Sequence, residues 1–121
     1  MELNGREVGF RRSVYATTKI AAICPDRDVG KLGELLASDV VTGMETAITF
    51  VCALSEAYER HMRREDPGYT PNPITEDELL DENEDTLMEL VNEAVKVYMA
   101  DGKVTVEAEP VKGKNGEAAS E

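Results

Sequence analysis

Apolar and polar positions along this chain follow a two-residue rhythm at the start and a three-to-four-residue rhythm thereafter. Residues 1–13, MELNGREVGFRRS, set Leu3, Val8 and Phe10 at period two around Asn4-Gly5. That pattern predicts a β-hairpin, because a tight primed turn needs positive φ, which Asn and Gly tolerate. Its first arm is short, so it must lean on the rest of the fold.

From residue 14 the spacing becomes helical. Ala16, Ile20, Ile23 and Cys24 share one face of a helix over 14–24, closed by Pro25, which restricts Cys24 and lacks a donor. Asp26 or Asp28 then caps a helix over 28–37 with Val29, Leu32, Leu35 and Leu36 as its stripe. Gly30 and Gly33 weaken it by about 1 kcal/mol each relative to alanine. A long central helix follows over 42–64. Thr42 and Glu45 have the spacing of a capping box. Its apolar face runs from Met44 through Ile48, Val51, Leu54 and Tyr58 to Met62, and Arg60, His61, Arg63 and Arg64 complement the negative end of its dipole.

Three prolines and a glycine in 67–73, PGYTPNP, predict a surface loop. Thr75 and Glu78 repeat the capping-box spacing and open a short acidic helix over 75–82. A last helix over 85–100 carries Leu87, Leu90, Val91, Ala94, Val95 and Tyr98 on one face, with Asp101-Gly102 as its stop. Beyond it, KVTVEAE at 103–109 suits either a short half-buried strand or the start of a tail, and VKGKNGEAASE predicts disorder. The fold class is therefore mainly α: a single helical domain over 1–102, with a short N-terminal β-hairpin and a flexible C-terminal tail over 103–121.

Composition narrows the function classes. The chain has 121 residues, no tryptophan and six other aromatics, so its core must be built from aliphatic side chains and methionine. Thirteen basic and 25 acidic side chains give a formal charge of −12. Nucleic acid is not an expected partner, since phosphate binding depends on clustered Lys and Arg. The acid excess serves solubility, steering towards a basic partner, or both. The N-terminus has no apolar signal core and no stretch is expected to span a membrane, so the expected location is the cytoplasm.

Candidate chemistry is sparse. His61 is the only histidine and lies among arginines, without an evident nucleophile or orienting group. The acids between Glu76 and Glu84 lack the glycine and terminal glutamate register of a calcium loop. DVGKLGELL, with Gly30 and Gly33, lacks phosphate-loop spacing. Cys24 and Cys52 sit in apolar runs and suit buried free thiols. No enzymatic activity, cofactor, metal, or catalytic or binding residue set is expected. What remains is surface. Phe50 lies off the central helix's main stripe, so it faces either a partner or the short helices. Met44, Met62, Met88 and Met99 either fill the core or supply an adaptable apolar surface.

The whole layout resembles the small tail assembly chaperones of long-tailed phages and prophages of Gram-positive bacteria. The resemblance is carried by ELNGREVGFR, AAICP, LGELL, TAITFVCALSEAYER, the proline loop, ITEDELLDE and the closing EPVKGKNGE. It implies a helical, non-enzymatic chaperone that coats the hydrophobic tape measure protein and helps recruit tail tube subunits, often made in two lengths by ribosomal frameshifting. A homo-oligomer is compatible with it. The resemblance transfers no binding residues. The alternatives are a structural virion component, such as a tail completion or head–tail joining protein, and a small regulator of a host factor.

Overall fold

The computed structural model describes residues 1–104, and the 105–121 part of the expected strand and tail lies outside them. The chain opens with strands β1 (Glu2–Leu3) and β2 (Arg6–Glu7), paired antiparallel with Glu2 opposite Glu7 and Leu3 opposite Arg6. Asn4 and Gly5 take φ of 52° and 83°, the left-handed pair that a primed turn demands. The hairpin is shorter than 1–13. After Val8 the chain leaves its partner and crosses the central helix, where the Arg11 N–H donates to the Leu54 carbonyl (3.1 Å).

Helix α1 (Val14–Ala21) is capped by Ser13, whose hydroxyl accepts from the Ala16 N–H, and buries Ala16 and Ile20. It stops three residues short of Cys24. Pro25 forces Cys24 into extended backbone, and the last turn tightens to three-residue hydrogen bonds before it. The expected helix over 28–37 is divided into a 3₁₀ turn (Val29–Lys31), capped by the Asp28 carboxylate, and helix α2 (Leu32–Leu36). The two glycines flank the division, Gly30 in the 3₁₀ turn and Gly33 in α2, and their low helix propensity weakens the segment on both sides of it.

Helix α3 (Val40–Glu65) begins two residues earlier than expected and is capped differently. Asp39, not Thr42, is its N-cap: the Asp39 carboxylate accepts from the Thr42 N–H (3.0 Å). This bond holds the Asp39 carboxyl below the usual carboxylate range. A charged oxygen one turn earlier satisfies the free donors better than a threonine hydroxyl inside the first turn. Phe50 is fully buried, which settles its direction: it meets Tyr98 edge-on, with ring centroids 5.6 Å apart at 75°. Contrary to the sequence expectation, α3 is long and apolar enough to cross a membrane by length and composition, a property that a buried core helix shares. Thr, Ser and Glu interrupt its apolar run and hide its average character.

The proline loop is pinned to α3 by polar groups that a periodicity reading misses. Glu59, buried on α3, uses one carboxylate oxygen to accept from the Tyr69 hydroxyl (2.6 Å) and the Asn72 N–H (2.8 Å). Ser55, also buried, accepts from the Ile74 N–H (2.8 Å). Helix α4 (Glu76–Leu80) is shorter than 75–82 and makes half of its capping box: the Thr75 hydroxyl accepts from the Glu78 N–H. The other half is absent because Glu78 turns to the hairpin. It accepts two hydrogen bonds from the Arg6 guanidinium (2.6 and 2.8 Å) and one from Asn4 (2.9 Å).

Helix α5 (Glu84–Val104) starts at Asn83, whose side chain accepts from the Thr86 N–H, and continues through Asp101-Gly102. A mid-helix glycine costs only about 1 kcal/mol, so this pair is no obligatory stop. The start of the strand proposed for 103–109 is therefore helical. Helices α1, α2, α4 and α5 all pack on α3, and one continuous apolar cluster joins them to Leu3 and Val8 of the hairpin segment.

The hairpin clamp has a pH signature. Its bonds to Arg6, and next to Asn4, lower the Glu78 carboxyl to about 2. A carboxyl depressed by folding contributes its stability in full above its unfolded value, and that contribution drains away as the pH falls through the folded one. The side chain is only 18% exposed, and about 1–3 kcal/mol is at stake. Urea midpoints are expected to fall between pH 4.5 and 2. Arg6→Ala should lower the midpoint at pH 6 and shrink that fall; an unchanged pH dependence would rule the clamp out as its source.

Candidate interaction surface

Among the described residues, two adjoining apolar pockets form a groove open to solvent, bounded by α5 on one side and by α2 with the start of α3 on the other. Its floor is α3. Its first pocket, about 340 Å³, lies between Leu36, Val40 and Met44 on one wall and Leu87, Met88 and Val91 on the other. Its second, about 400 Å³, lies between Leu32, Gly33 and Leu36 and the α5 residues Val95, Tyr98 and Met99. Leu36 belongs to both and stands between them.

Local sequence explains the opening. Helix α2 has only five residues, buries only Leu32 among them and leaves Leu35 and Leu36 half-buried. A side chain at Gly33 would meet nothing within 4 Å, so that wall is low. At Gly43, by contrast, an added Cβ would lie 2.9 Å from the Leu36 carbonyl oxygen. This close approach of the α2 end to α3 holds the Leu36 partition in place.

Three of the residues on the groove's edges are apolar and well exposed: Val40 (72%), Met88 (53%) and Met99 (54%). The methionine alternatives thus separate. Met88 and Met99 face solvent at the two pockets, Met44 is half-buried in the first, and Met62 is half-buried on α3 outside the pockets' lining. Methionine's flexible thioether can adapt to differently shaped apolar partners.

Electrostatics differ between the ends. Asp39 and Glu84 line the first pocket, and among the described residues neither has an ion-pair partner. At the far end Arg12 is already engaged. Its guanidinium lies 4.1 Å from the Tyr98 ring centre and donates to the Tyr98 carbonyl (3.0 Å). Tyr98 is thereby held between Arg12 and Phe50.

The residues that sequence reasoning weighed for chemistry are scattered. His61 is half-buried on α3, while the Cys24 and Cys52 thiols are free. Burial raises both thiols above their ordinary range, Cys52 to about 12, which disfavours the reactive thiolate. Among the described residues no group of three or more His, Cys, Asp or Glu side chains could hold a metal ion. Leu36, Val40 and Asp39 were missed as groove residues, although Asp39-Val-Val-Thr42 carries the spacing of a helix cap. Comparison with known proteins gives no matching family model, curated protein or solved structure.

Proposed function

We propose that this protein is a non-enzymatic assembly chaperone that holds an apolar stretch of a phage tape measure protein and helps bring tail tube subunits to it. The observation that carries the reading is the methionine-edged groove along α5, an apolar surface left open on a strongly acidic chain. A groove edged by exposed methionines suits an apolar partner, because their side chains adapt to its shape. The acid excess would keep a complex with a hydrophobic client dispersed. The hairpin, long helix, proline loop and second long helix follow the outline on which the resemblance to tail assembly chaperones rests.

Co-expression with the tape measure protein tests it. The two should elute together, and the tape measure protein should precipitate without this chain. Separate elution with a soluble tape measure protein would defeat the proposal. Mass spectrometry of purified particles distinguishes the virion-component reading, because an assembly chaperone is absent from finished particles.

A further inference from the structure

We infer that the groove takes a single amphipathic helix of a partner, anchored by two large apolar side chains eleven residues apart and basic at the end beside Asp39 and Glu84. This rests on the chaperone reading and names the kind of segment that would be held. Met88 and Met99, each at one pocket, are eleven positions apart on α5. Eleven residues of α-helix make close to three turns, so the two side chains share a face about 16 Å apart. A partner helix lying along α5 reproduces that spacing with its own residues i and i+11. Leu36 between the pockets blocks a continuous ridge and favours two separate anchors. Such a helix in a groove is read by its anchors, and their spacing sets specificity.

Charge selects the occupant. A second copy of this chain would carry its own −12 into the groove and set like charges against Asp39 and Glu84. A helix with lysine or arginine at that end meets them with opposite charge. Arg12 at the other end is occupied by Tyr98 and makes no such demand.

The test uses the full chain and three fluorescein-labelled, alanine-based helical peptides. One has leucines at i and i+11 with a lysine flank. The second has them at i and i+7, on the same face but about 10 Å apart. The third replaces the lysines of the first by glutamates. Fluorescence anisotropy should show the first binding about tenfold tighter than either control, and Met88→Lys and Met99→Lys each weakening it about tenfold. Both positions are exposed, and circular dichroism would verify that the variants fold. Equal binding of the two spacings, or indifference to both substitutions, overturns the proposal. So does sedimentation showing a dimer that Met88→Lys dissociates, because the occupant is then a second copy. If both lysine variants still solubilise the tape measure protein, the groove assignment falls and the chaperone reading stands. If the i, i+11 peptide binds as expected but the tape measure protein is soluble alone, the reverse holds.

Discussion

Phe50→Ala is expected to lower the unfolding free energy by about 3–5 kcal/mol, the range for truncating a buried aromatic. Phe50 is fully buried on α3, at the floor of the groove's second pocket. It also forms the edge-on partner of Tyr98, a contact worth about 0.5–1.5 kcal/mol beyond burial. Since marginal domains hold only about 5–15 kcal/mol in total, a loss of this size puts much of the population at risk of unfolding at 37 °C. Urea denaturation followed by helical circular dichroism would measure it. A change below about 1 kcal/mol would contradict the burial of Phe50 and its contact with Tyr98.

Glu59→Ala is expected to cost about 2 kcal/mol and to release the proline loop locally, because it removes a charged acceptor shared by Tyr69 and Asn72. The Glu59 bond is also the leading cause that pushes the Tyr69 phenol up to about 12. Two readouts should therefore move together. Tyrosinate absorbance should show one phenol returning towards its ordinary range, and amide exchange should speed up around Asn72. Stability loss without either local change would place the effect of Glu59 elsewhere.

The parts of the fold that were legible in the sequence are those written in short-range code. Asn4-Gly5 specifies its turn through backbone sterics alone, and the 87-90-91-94-98 stripe of α5 needs only helical geometry to be seen. Where a competing local signal existed, boundaries moved: Asp39 displaced Thr42 as the cap, and Pro25 acted a turn upstream of where it stands. Glu59 and Ser55 were illegible as loop anchors because their partners lie 10 to 19 residues away and look, in sequence, like ordinary loop backbone. Phe50 could be placed off the main stripe but not aimed, since its neighbour Tyr98 is supplied by a different helix. The groove was legible only in its methionines. Its walls arise from the shortness of α2, a tertiary outcome of two glycines and a cap that no stripe on a single helix reveals.

The Arg6–Glu78 clamp has a consequence for the order of events at the ribosome. The two residues are 72 positions apart, so the hairpin's anchor does not exist when the hairpin is made. At about 5–20 residues per second, roughly 4–14 s pass before Glu78 is even polymerised. Through that interval the segment after the hairpin can reach α3 through Arg11 and Leu54, but the hairpin itself cannot be clamped to α4. Helix α3 must meanwhile wait for α5, the last helix described, to cover Phe50. The chain therefore emerges with only α1 and α2 at hand to cover α3, and its folding closes late, when α4 and α5 emerge.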